Sequence, residues 1–111
     1  MAQQIFYLCR CDLWKSYSSM IPILMTTDEN KLIETIKREI SHGDMEYAGW
    51  DEDIDAAIQE FEEDWETSNR ADINSKLDFG YYDYTEDGME MEGFWWNKVF
   101  KGGNDYVVRK N

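Results

Sequence analysis

The sequence predicts an α+β domain, an antiparallel β-sheet with two helices packed on one face, in the order β-β-α-α-β-β-β. Three observations lead there: two short apolar, β-prone runs at the N-terminus, two central segments with apolar residues at helical spacing, and period-two alternation through the C-terminal third. A length of 111 residues fits one domain over 1–111 with one core.

Residues 4–11 (QIFYLCRC) and 17–25 (YSSMIPILM) read as the first two strands, with Asp12 to Ser16 as the loop between them. Pro22 has no N–H for a ladder, so the second strand is expected to be an edge or to carry a bulge there. Thr26-Thr27-Asp28-Glu29 fits a helix start, by a Thr26–Glu29 capping box or with Thr27 or Asp28 as the cap. Leu32, Ile33, Ile36 and Ile40 then mark one helix face, and Gly43 suits a left-handed C-terminal cap. Asp51 is expected to open the second helix, whose Ile54, Ala57, Ile58, Phe61 and Trp65 fall within about 100° of its circumference. The polar stretch 69–74 reads as a loop.

Leu77, Phe79 and Tyr81 share one side of the next strand, with Asp78 and Tyr82 on the other. Glu86-Asp87-Gly88 is a hairpin signal. Beyond it Met89, Met91 and Trp95 alternate with Glu90, Glu92, Phe94 and Trp96, and Tyr106 to Arg109 reads as a last short strand.

The charge excludes several functions. Twenty-four acids oppose 11 Lys and Arg, a net charge of −13. Such an excess opposes direct binding to nucleic acid or to anionic membranes. No run approaches the roughly 18 apolar residues that cross a bilayer, and residues 1–4 carry no export-signal pattern. Seventeen aromatic rings argue against a disordered acidic tail. Cys9 and Cys11 are too close for a disulfide framework, and the compartment expected is a reducing cytoplasm.

Catalysis finds little support. A nucleophile needs a neighbouring base, and the single histidine, His42, falls at an expected helix C-terminus, where a partial positive charge is favourable. Cys9 and Cys11 match no redox pair or zinc knuckle and read as small core residues. No glycine-rich phosphate loop is present, and no cofactor is expected. Asp51-x-Asp53-x-Asp55 with Glu62 at the twelfth position resembles an EF-hand loop, but Ala56 stands where the sharp turn needs glycine. The same residues make an amphipathic helix, which a calcium loop would break. The chain reads as a non-enzyme.

What remains is the distribution of acids. Residues 44–92 hold 18 of them against Arg70 and Lys76, and no Lys or Arg occurs from Asp44 to Asn69. On the second helix Glu52, Asp53, Asp55, Glu60, Glu62, Glu63, Asp64 and Glu66 occupy nearly all the circumference outside the apolar stripe. Eight charges over about 22 Å exceed half the linear charge density of a DNA duplex. Like charges four apart cost a few tenths of a kcal/mol each, with no base inside the segment to relieve them. A cationic partner would return that repulsion on binding. Asp83, Glu86, Asp87, Glu90, Glu92 and Trp96 are expected to extend the partner-binding surface.

In length, charge and this acidic helix the chain resembles a class, the small acidic inhibitors that phages and mobile elements direct at host nucleases: anti-CRISPR proteins and antirestriction DNA mimics. The resemblance implies a non-catalytic inhibitor whose acids stand in for phosphates in the DNA- or RNA-binding groove of a CRISPR effector or restriction nuclease. Replacing Glu60, Glu63 and Asp64 by Lys is then expected to abolish inhibition and leave the fold intact. The alternatives are an immunity protein for a cognate nuclease toxin, or a small-ligand or calcium-binding module.

Overall fold

A computed structural model describes residues 4–49, 53–85 and 105–107. The expected hairpin of residues 86–96, with Glu86, Asp87, Glu90, Glu92 and Trp96, lies outside the described residues, as do Asp51 and Glu52.

The chain is α+β. Strands β1 (Ile5–Arg10), β2 (Ile21–Thr26), β5 (Gly80–Thr85) and β6 (Asp105–Val107) form an antiparallel sheet in the order β5-β1-β2-β6. Helices α1 (Glu29–Ser41), α2 (Ile54–Thr67) and α3 (Arg70–Lys76) follow β2, and a two-stranded ribbon joins β3 (Glu46–Tyr47) to β4 (Leu77–Asp78). The core lies between the helices and one sheet face: Phe6, Leu8 and Tyr82 from the sheet meet Leu32, Ile36, Ile40, Ala57, Phe61 and Ile73. On the opposite face Cys9 and Met25 are fully buried beside Tyr7 and Tyr81. Burial pushes the Cys9 thiol up to about 12, which makes it an inert packing group at neutral pH.

Pro22 sits at a bulge. Leu8 pairs with Leu24 and Cys9 with Pro22, so Ile23 is the extra residue, and the β2–β6 pairing spans only Leu24 to Thr26. The stretch expected to begin this strand at residue 17 instead forms a 3-10 turn at Tyr17–Ser19. Asp28 is the cap of α1, its side chain accepting from the Asn30 N–H at 2.9 Å, and Gly43 follows the helix at φ 81°. The buried face of α1 is Leu32, Thr35, Ile36, Glu39 and Ile40. Glu39 can be buried because Arg10 of β1 grips it with two nitrogens, Nε to Oε1 at 2.5 Å and Nη2 to Oε2 at 2.8 Å.

Three further expectations are corrected. The stretch 69–74, read as a loop, contains most of a third helix: the Asn69 side chain caps α3 by accepting from the Asp72 N–H at 2.8 Å. Only Ile73 is apolar and buried there, too little to show a period. The alternation from Leu77 to Tyr82 changes phase at Phe79, which takes φ 68°, so Tyr82 joins Leu77 in the core while Tyr81 faces the other way. Gly80 follows, and the buried Met45 side chain packs directly on its backbone: a Cβ there would lie 2.4 Å from the Met45 sulfur. Finally, Ile54 at the start of the α2 stripe is exposed, and Ala57 and Phe61 carry the buried contact.

Asn74 holds β5 on the side away from β1. Its Nδ2 donates to the Tyr82 carbonyl at 2.8 Å and its Oδ1 accepts the Tyr82 N–H at 3.1 Å, a side chain standing in for a neighbouring strand. Asn74→Ala leaves both backbone groups without a partner in a buried site. Urea unfolding is expected to show a loss of about 2–3 kcal/mol; a loss below about 0.5 kcal/mol would mean that water replaces the amide.

Candidate partner-binding surface

The α2 acids divide into groups that the sequence could not separate. Asp53 is the helix cap, its Oδ1 accepting the Ala56 N–H at 3.0 Å, and Ile54–Thr67 is one unbroken helix in place of a calcium loop. Among the described residues no group of three or more His, Cys, Asp or Glu is placed to hold a metal ion.

Each border of the helix meets a lysine from another element. On one side Lys76 of α3 lies 3.1 Å from Glu60 and 2.8 Å from Asp64. Asp64 also accepts the Tyr47 hydroxyl at 2.7 Å. Lys76 and then Tyr47 hold its carboxyl below the usual carboxylate range, and burial together with Asp64 pushes the Tyr47 phenol well up. On the other side Lys37 of α1 reaches Glu62 at 2.6 Å and Glu34 at 3.4 Å. The segment has no base of its own, and the relief of its repulsion comes from α1 and α3 outside it.

The crest between these borders is different. Asp55, Glu63 and Glu66 are exposed, and none makes an ion pair among the described residues; the Glu63 carboxylate accepts from the Gln59 amide at 3.5 Å. At 100° per residue they span about 80° of the circumference over about 17 Å of axis. The last turn of α2 carries no basic residue, so the helix dipole adds negative potential there. Asp83 does not join this surface. It lies on β5 opposite Tyr7, on the sheet face away from the helices, with Arg70 Nη1 at 3.3 Å and the Tyr81 hydroxyl donating at 3.0 Å.

Asp64 gives a pH test with a definite sign. Its folded pKa is lowered, so the stability it contributes is present above the ordinary carboxylate range and is lost as pH falls through the lowered value. Asp64→Asn is expected to be less stable than the natural protein at pH 7, with the difference shrinking between about pH 5 and pH 2. A difference constant over that range, measured by thermal melts, would remove the ion pair from the account.

One exposed apolar feature lies apart from these acids. Leu13, Trp14, Tyr17 and Ile21 are all at least half solvent-accessible within and just after the β1–β2 loop, and Trp14 reaches 82%. The loop is well built. Asp12 accepts from the Ser16 N–H and hydroxyl at 3.0 and 2.6 Å, the Ser19 hydroxyl accepts the Asp12 N–H at 3.0 Å, and the Lys15 ammonium donates to the Leu77 carbonyl. A Leu-Trp pair inside an otherwise polar loop was the available signal. His42, exposed at the C-cap of α1, has no nucleophile bonded to it among the described residues.

No helix among the described residues is long and apolar enough to cross a membrane. No family profile, no curated protein and no solved structure matches the chain.

Proposed function

We propose that the protein is a non-catalytic inhibitor that lays the crest of α2 into a cationic nucleic-acid-binding groove, in the manner of anti-CRISPR and antirestriction DNA mimics. One observation carries this reading. Where α2 meets its own fold its acids are matched by Lys37 and Lys76, yet the outward Asp55, Glu63 and Glu66 have no such match among the described residues. A merely soluble surface mixes both signs. An unmatched rigid row of carboxylates is complementary to lysines and arginines that otherwise hold phosphates, and it steers association at low salt.

The test is immobilised protein challenged with lysates of bacteria that encode CRISPR effectors or restriction nucleases. The expected outcome is retention of a nuclease at low salt, its release by a salt step, and its displacement by duplex DNA. Retention of a toxin nuclease with its active site blocked would favour the immunity-protein reading. Retention that ignores salt and DNA would overturn the proposal.

A further inference from the structure

At the C-terminal end of α2 the structure has a cavity of about 260 Å³. Four aromatic side chains line it, Phe6, Trp65, Tyr82 and Tyr84, together with Glu29 and Arg70. Trp65 lies against Tyr82 with ring centroids 5.0 Å apart, and Phe6 against Tyr84 at 6.0 Å. The Trp65 indole donates to Glu29 Oε2 at 2.8 Å, which fixes the ring and leaves Oε1 of the same carboxylate without a partner among the described residues. Arg70 does not neutralise Glu29: its guanidinium is held by Asp83 at 3.3 Å and lies 5.7 Å from the centre of the Tyr84 ring. One ring of this wall therefore already stacks with a guanidinium.

We infer that this cavity is a receptor for an organic cation, an alkylguanidinium or alkylammonium group, presented as an arginine or lysine side chain by a basic partner protein. Aromatic faces attract a cation through their quadrupoles, and a carboxylate with a free oxygen beside them supplies the charge-assisted hydrogen bond. The adjoining last turn of α2 bears Glu66 and no base. With Arg70 of the wall already paired to Asp83, a neutral or anionic ligand would gain nothing from Glu29 and Glu66, whereas a cation gains from both. Only the identity of the occupant as a partner's side chain rests on the function proposed above; the cation chemistry does not.

The probe is N-acetyl-arginine N-methylamide, titrated into ¹⁵N-labelled protein while the Trp65 indole N–H resonance is followed, identified by its loss in Trp65→Phe. A saturable shift of that resonance is expected, with the neutral citrulline counterpart binding at least roughly tenfold more weakly. Glu29→Gln keeps an acceptor for the indole and removes the charge, and should weaken arginine binding by a similar factor. Tyr84→Leu, at an exposed ring, tests the aromatic wall should Glu29→Gln disturb the helix. Equal binding of citrulline, arginine binding unchanged in both variants, or shifts spread over the other indoles would overturn the inference. Free arginine binding more tightly than the blocked form would replace the partner's side chain by a small metabolite. Arginine bound here while reversal of the α2 crest leaves nuclease capture intact would keep the cavity and remove the DNA-mimic reading. The reverse result would remove the cavity alone.

Discussion

Arg10→Met is expected to destabilise the fold by about 3–5 kcal/mol, because it leaves Glu39 as a buried carboxylate without its counterion. Glu39 is 7% exposed and faces the core side of α1, and both of its oxygens are bound by the Arg10 guanidinium. Asp44, 3.4 Å from Nη2, completes the cluster and is more exposed, so it tolerates the loss. Arg10→Lys should recover only part of the stability, since an ammonium cannot satisfy two oxygens with the geometry of the guanidinium. Arg10→Met combined with Glu39→Leu should return to within about 2 kcal/mol of the natural protein, because removing both charges removes the desolvation cost as well. Denaturant melts of the three variants decide it. A single variant that loses less than about 1 kcal/mol would mean that Glu39 reaches water when Arg10 is removed.

The second large effect concerns binding. Reversal of Asp55, Glu63 and Glu66 to Lys changes the net charge from −13 to −7, since each substitution adds two units. Capture of a cationic nuclease is expected to weaken by about 100-fold or more near 50 mM salt, with the difference narrowing as salt screens the surface. Stability should stay within about 1 kcal/mol. Glu66→Lys turns a repulsive pair with Glu62, four residues earlier, into an attractive one, while a lysine at position 55 opposes the helix dipole. The triple replacement suggested by the sequence, Glu60, Glu63 and Asp64 to Lys, is a poorer test: two of its three positions hold Lys76, and Asp64 also anchors Tyr47. Loss of binding there would mix a damaged α2–α3 contact with a changed surface. Crest reversal that leaves capture unchanged would show that the partner uses another face, and the exposed Trp14 loop would be the next to test.

The periodicity of single elements was legible from residue order. Leu32, Ile36 and Ile40 at helical spacing, Gly43 after the first helix, and the bulge at Pro22 follow from short-range sterics and burial, which neighbouring residues decide between them. The acidity of the segment that forms α2 was legible in the same way. The third helix escaped notice because one buried isoleucine makes no period, although Asn69 three residues before Asp72 is a capping signal. The phase change at Phe79 escaped because β4 and β5 pair with different partners, β3 and β1, and strand pairing joins residues far apart in the chain.

By its sequence alone, then, the chain determined an α+β fold, an amphipathic acidic helix and a net charge that disfavours phosphate and anionic lipid. Tertiary structure decided which of those charges are available to a partner. Lys37 and Lys76 lie 25 and 12 residues from the carboxylates Glu62 and Asp64 that they neutralise, and Arg10 lies 29 residues from Glu39. The energy of an ion pair depends on distance and dielectric in space, so only packing α1 and α3 against α2 sorts its acids into a bound border and an open crest.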